Sequence, residues 1–150
     1  MAGLLSKGIK ISYNSGSAGS AVWTELTGLQ SIPDLGGAAD KVDVTTLADG
    51  NYKYINGIKD FGDLEFSFLY DASTSASNYQ IIRGLEEDGE IVEFKVEFPD
   101  AITSGSTGHG TQFDFSGQVS TSIDGQEVNS AITFKMNVTL NSDIEVTMPV

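Results

Sequence analysis

The chain has 150 residues, no cysteine, one histidine, and 8 basic against 21 acidic residues, giving a formal net charge of −13. One domain with a substantial core is the expectation at this length, and 39% hydrophobic content supplies that core. The scattered cations cannot neutralise a nucleic-acid backbone, the missing thiols exclude disulfides and cysteine-held metals, and no apolar run approaches the roughly 18 residues of a membrane span.

In chain order, Met1–Gly8 shows neither a basic n-region nor a long apolar h-region, so no signal peptide is expected. Residues 8–13, with Ile9, Ile11 and Tyr13, read as a first strand, and Gly16–Ser20 as a flexible turn after it. A second strand is expected over 21–29, with Trp23 buried, and a third over 41–46. Residues 47–61 then form a long segment between two strand-like runs. Asp49-Gly50 and Asn56-Gly57 are suited to turns at its two ends. Loops this long are uncommon in compact domains unless they are used. Tyr52, Tyr54 and Ile55 on a protruding loop or β-arm suit a partner surface; the alternative is an ordinary hairpin packed on its own domain.

Strict alternation follows in 62–71, where Leu64, Phe66, Phe68 and Tyr70 oppose Asp63, Glu65, Ser67 and Asp71. From Ser75 to Asp88 the period changes. Tyr79, Ile82 and Leu85 recur at helical spacing, Ser75 is placed to cap the start, and Gly89 suits a left-handed end. The apolar stripe of this helix would lie on the sheet. Glu86, Glu87 and Asp88 are either a functional acidic patch or a solvated helix end. Alternation resumes in 90–98 (Val92, Phe94, Val96 and Phe98 against Glu93, Lys95 and Glu97), in 112–121 and in 131–140, with a short run at 144–148. Gly105–Gly110 reads as another loop, and Asp124-Gly125 as a hairpin turn with positive φ at the glycine. The fold class is therefore mainly β with one α-helix.

Chemistry is not legible. His109, the only histidine, lies in a Gly/Ser/Thr loop, and no carboxylate pair stands out as an acid–base couple. No EF-hand run occurs, and neither glycine loop has a phosphate-cradle pattern. No catalytic, cofactor-binding or metal site is expected. The polar strand faces carry Asp63, Glu65, Asp71, Glu93, Glu97 and Asp114 against Lys95 and Lys135. On a monomer that surface gives solubility; on a ring it would give an acidic bore.

Lys41-Val-Asp-Val-Thr-Thr-Leu-Ala-Asp-Gly50, Tyr54-Ile-Asn-Gly-Ile-Lys-Asp60 and Gly62-Asp-Leu-Glu-Phe-Ser-Phe-Leu-Tyr-Asp71 resemble the major tail tube proteins of long, non-contractile-tailed, lambda-like bacteriophages. Asn78-Tyr79, Asp88-Gly89 and Phe98-Pro-Asp100 support the likeness. The resemblance implies a β-sandwich or split barrel with the helix on the sheet. It implies a single tail-tube domain over 1–150, without the C-terminal immunoglobulin-like domain that some relatives add. It also implies hexameric rings stacked into a tube that conducts DNA without specific binding. Partners would be further copies of the chain, a tail-tip initiator, a tape-measure protein and a terminator. The place of action would be the virion tail, after assembly in the bacterial cytoplasm. The long loop would reach a neighbouring subunit or ring, which assigns Asp49, Tyr52, Lys53, Tyr54, Ile55, Asn56 and Lys59 to the contact. Glu65, Glu93, Glu97 and Asp114, on polar strand faces, are the candidates for the lumen. The alternatives are a tube protein of a contractile tail or secretion machine, and a monomeric carbohydrate-binding β-sandwich.

Overall fold

Alternating runs become a sheet when their apolar faces can share one core, and here the pairing is antiparallel throughout. The computed structural model of the chain describes residues 5, 7–16, 19–37, 39–59, 62–105 and 107–150. Outside the described residues lie most of Met1–Gly8, Ser17 and Ala18 of the first glycine loop, and Ser106 of the second. Asp60 and Phe61, at the end of the expected arm, lie outside them too. The elements are β1 (Lys10–Asn14), β2 (Trp23–Leu26), β3 (Leu29–Ser31), β4 (Lys41–Asp43), β5 (Tyr54–Asn56), β6 (Asp63–Leu69), α1 (Asn78–Asp88), β7 (Val92–Glu97), β8 (Gln112–Ile123), β9 (Thr133–Leu140) and β10 (Glu145–Thr147).

The main sheet runs β2-β1-β7-β8-β9-β6-β3, with β10 on β8, while β4 and β5 form a separate pair. The long strand β8 is shared between two leaves. Its residues 112–117 pair with β7, and its residues 117–123 pair with β9. Gly117 is the crossing point, opposite both Val92 and Leu140. A Cβ there would stand 2.2 Å from the Thr139 carbonyl oxygen, so only glycine fits. The leaves meet again where β2, paired with β1, turns at Thr27-Gly28 into β3, paired with β6. One strand was expected over 21–29; the chain instead breaks at Gly28, whose φ is +78°, and changes leaf. The result is a split barrel.

The core fills the space between the leaves. Phe115 stacks on Phe94 of its own leaf at 5.7 Å and on Phe66 of the other at 5.9 Å. Phe68 stacks on Phe134 at 5.4 Å, and Met136, Val138 and Ile11 are fully buried beside them. Each such side chain contributes about 1.5–3 kcal/mol by leaving water. Helix α1 packs on this core through buried Ile82 and through Tyr79, 5.1 Å from Phe134.

Several expectations need correction. The helix starts at Asn78 rather than Ser75, because Asp71–Ser77 satisfy one another. Asp71 Oδ1 accepts the Ser73 N–H at 3.0 Å, and Ser77 Oγ accepts the Thr74 N–H at 3.1 Å. Gly89 does end the helix in the left-handed region, with its N–H on the Leu85 carbonyl at 3.3 Å. Glu86 belongs to neither reading of the acidic helix end, since it accepts hydrogen bonds from Arg83 and from the Thr121 hydroxyl of β8. The β8–β9 connection spans residues 124–132 rather than a two-residue turn, and its positive-φ residue is Asn129, not Gly125. Trp23 is 37% exposed, because the core residue of β2 is Leu26 and the alternation turns Trp23 outward. Its ring is roofed by the Lys95 ammonium, 4.2 Å from the centroid.

Candidate assembly surfaces

Two surfaces stand out: the β4–β5 arm and the polar face of the β2-β1-β7-β8-β10 leaf. In the arm, Lys41, Val42 and Asp43 pair with Asn56, Ile55 and Tyr54. The ladder extends outward through the Val44 N–H on the Lys53 carbonyl at 3.0 Å, and toward the base through the Gly57 N–H on Asp40 at 2.5 Å. Asn56-Gly57 is thus a continuation of pairing, not the turn the sequence suggested, and the arm begins near residue 40 rather than 47.

Its loop looks after its own polar groups. Thr45 Oγ1 accepts the Lys53 N–H at 2.8 Å, and Asp49 Oδ2 accepts the Thr46 N–H at 2.8 Å. Lys53 Nζ lies 2.7 Å from Asp49. The Lys53 ammonium, then the Thr46 N–H, hold the Asp49 carboxyl below its ordinary range; the Thr45 hydroxyl and then its N–H do the same for Asp43. Of the residues assigned to a contact, Asp49 and Lys53 are therefore bound to each other, and Asn56 pairs within the hairpin. The apolar side chains are left outside. Tyr52 is 76% and Ile58 87% exposed, and Val42, Val44, Leu47, Tyr54 and Ile55 are exposed as well. Tyr52 and Tyr54 stack at 6.5 Å on one face with Lys41 over the Tyr54 ring, and Val42 and Ile55 occupy the other. Lys59 follows, exposed, at the base.

Strand register defines the polar face. Glu25, Ser12, Lys95, Asp114 and Glu145 form one cross-strand row. Lys10, Glu97, Gln112 and Thr147 form a second row; beyond the first, Trp23 pairs with Asn14 and Glu93 with Ser116, the two pairs joined by the Asn14–Glu93 side-chain hydrogen bond. Glu93, Glu97 and Asp114 thus share a face, joined by Glu25 and Glu145, which the sequence reading missed. Both lie in short strands whose neighbours only the pairing reveals. Glu65 does not join them. It sits on the other leaf, opposite Asn137 and 3.4 Å from Lys135, whose ammonium it holds above its usual range with help from Asp124.

On the acidic face, Asp114 Oδ1 is buried without a hydrogen-bond partner. Burial pushes this carboxyl up, against Lys95 and with Glu145 and Glu93 adding to the rise. Glu93 accepts the Asn14 amide at 3.1 Å, and Glu97 accepts the Gly110 N–H at 3.0 Å. His109 lies away from these rows, its backbone paired with Val150 and its Nδ1 2.8 Å from the Gly110 carbonyl. Among the described residues no group of three or more His, Asp or Glu is arranged to hold a metal ion, and no helix is long and apolar enough to cross a membrane.

A family model described as "Phage tail tube protein, TTP" matches residues 13–147. Among solved structures, the chain is similar to one in the tail of an empty gene transfer agent particle refined with C6 symmetry, at 19% identity and TM-score 0.68, covering 97% of this chain and 99% of that one. It is also similar to a chain in the six-fold symmetrised baseplate of the anti-feeding prophage (8% identity, TM-score 0.70, 99% and 97% covered). A third is in the extended-state PVC sheath/tube terminator of an extracellular contractile injection system (10% identity, TM-score 0.70, 98% of each chain covered). At these identities the likeness is one of fold. No curated protein sequence matches the chain.

Proposed function

The chain belongs to the phage tail tube protein family, and from that premise we propose that its activity is polymerisation into stacked hexameric rings forming the tube of a virion tail. The observation that carries this reading is the arm: a hairpin with its polar groups satisfied internally and seven large apolar side chains left in water. Scattered apolar residues need no explanation, but a set concentrated on one projecting element calls for a partner. An arm on one copy and a different surface on the next make a heterologous contact, which closes into a ring when the rotation allows. The six-fold symmetry of the gene transfer agent tail supports six subunits per ring.

The lumen is assigned to the face bearing Glu25, Glu93, Glu97, Asp114 and Glu145 against Lys10 and Lys95. Duplex DNA carries one charge about every 1.7 Å, so an acidic bore repels it weakly along its whole length and lets it slide. Glu65 is dropped from the lining because it lies on the other leaf. A tail tip, a tape-measure protein and a terminator would bound the tube, with assembly in the host cytoplasm, and no catalytic step is assigned. The injection-system neighbours share the fold alone, so the phage family carries the reading. A carbohydrate-binding module is disfavoured because Trp23 is roofed by Lys95 rather than displayed on a flat platform.

Negative-stain microscopy of the concentrated protein, with sedimentation alongside, tests the proposal. Rings or hollow tubes are expected. A monomer that stays monomeric after addition of a tail-tip preparation would count against it.

A further inference from the structure

A second surface offers the arm a partly apolar floor with an acidic rim. Residues 13–16 and 19–21, the C-terminal end of α1 and the start of β7 border an open groove of about 590 Å³. Its apolar residues are Tyr13, Ala21, Leu85, Ile91 and the buried Val92, and Ile91 is the exposed large side chain among them. Asp88 and Glu90 rim it, Glu93 marks its border with the acidic face, and no basic side chain lines it. The arm carries no excess of negative charge: residues 40–59 set Lys41, Lys53 and Lys59 against Asp40, Asp43 and Asp49 and are neutral in a chain of net charge −13. Lys53 is engaged by Asp49, whereas Lys41 lies over the Tyr54 ring, on the face that also holds Tyr52 and Asp43. None of the arm's residues lines the groove of its own chain.

We propose that this groove is the acceptor for the β4–β5 arm of a second copy, with the Tyr52/Tyr54 face seated on Tyr13, Leu85 and Ile91 and Lys41 against Asp88 and Glu90. The assignment rests on the tail tube reading for the existence of a neighbour, and names the surface that neighbour offers. Aromatic anchors in a partly apolar pocket with opposite charge at the rim are the arrangement that concentrates binding energy and sets register. Arm and groove are different patches, so each copy gives one and receives one, as a head-to-tail array requires.

The absence of cysteine makes the test direct. Asn51→Cys, beside Tyr52 on the arm, and Ser20→Cys, in the groove lining, are both exposed positions that leave Tyr52, Tyr54 and Ile91 in place, and a disulfide needs Cα atoms within about 7 Å. Tubes assembled from the double variant and oxidised should give a ladder of covalent oligomers on a non-reducing gel. Tubes without a ladder would overturn the groove and leave the tail tube reading standing. A fast-migrating, internally bridged monomer would overturn it too, since the arm would then sit on its own chain. Where the unsubstituted chain makes no tubes even with a tail-tip preparation, the tail tube reading fails, but mixing the two single-cysteine variants in solution still decides the groove by whether a mixed dimer forms. Charge exchange gives an independent readout. Asp88→Lys/Glu90→Lys and, separately, Lys41→Glu should each slow polymerisation about tenfold, and the combined variant should recover most of the rate. No recovery would count against the pairing of these charges.

Discussion

The corner at Gly28 and the β4–β5 arm both have to satisfy irregular backbone, and they differ in what happens to apolar surface. At the corner one buried side chain does the work. Asn78 Nδ2 donates to the Thr27 and Leu69 carbonyls, each at 2.7 Å, and its Oδ1 accepts the Asp71 N–H at 3.2 Å and the Tyr79 N–H at 2.6 Å. Around it Tyr70, Tyr79 and Phe134 close ring on ring, so polar and apolar needs are met within the chain. In the arm the polar groups are met equally well by Thr45, Thr46, Asp49 and Lys53, but Tyr52, Tyr54, Ile55 and Ile58 remain in water. Hydrogen bonds can be closed locally, whereas burial needs a second surface. The corner is a finished piece of structure, and the arm, on the reading we propose, is half of an interface.

The largest expected effect breaks that half. Tyr52→Ser with Tyr54→Ser, or deletion of residues 50–57, should abolish tubes while leaving a folded monomer. Burial of the two rings is worth about 3–6 kcal/mol per contact, or roughly 10²–10⁴ in association. Normal tubes from either variant would remove the arm from assembly. Phe134→Ala, in the finished region, should cost about 3–5 kcal/mol of folding stability by chemical denaturation. Its tubes should be lost only where the monomer unfolds, the opposite signature to that of the arm.

Asn78→Ala should cost about 2–4 kcal/mol, because the Thr27 and Leu69 carbonyls lose their part-buried donor and the Asp71 and Tyr79 N–H groups their acceptor at once. If its denaturation midpoint matched the parent, the corner would not depend on that side chain. The smallest effect concerns Asp114. Its folded carboxyl is raised, so ionisation weakens the native state above that raised value, and the penalty disappears below the unfolded value of about 3.9. Asp114→Asn should therefore stabilise the monomer at neutral pH by less than about 1 kcal/mol after solvent screening, with the gain vanishing near pH 3. A gain that persists at pH 3 would mean that the effect is not ionisation.

Much of this could be read from residue order. Period-two runs placed β6, β7, β8 and β9 and most of their core residues, because a half-buried strand leaves its pattern in a handful of neighbours. The helix was visible but started late, since Ser73, Thr74 and Ser77 compete for the same donors that a cap would use. The exposed tyrosines of the arm were visible too, though its root at Asp40 was not. Asn78 falls inside the expected helix, three residues after Ser75, and nothing in its sequence neighbours indicates that its amide reaches Thr27.

What the sequence by itself determined is therefore what short-range periodicity, composition and family resemblance can carry: a mainly β chain with one helix, an acidic polar surface and an aromatic arm. Only the tertiary structure decided that Gly117 lets β8 serve two leaves and that Glu25 and Glu145 join Asp114 in one row while Glu65 is left on the other leaf. It alone turned Trp23 outward beneath Lys95 and set Asp88 and Glu90 around a groove. The reason is register. Which residues face one another across a sheet depends on pairings between segments far apart in the chain, and a shift of one residue would turn every one of those side chains to the opposite face.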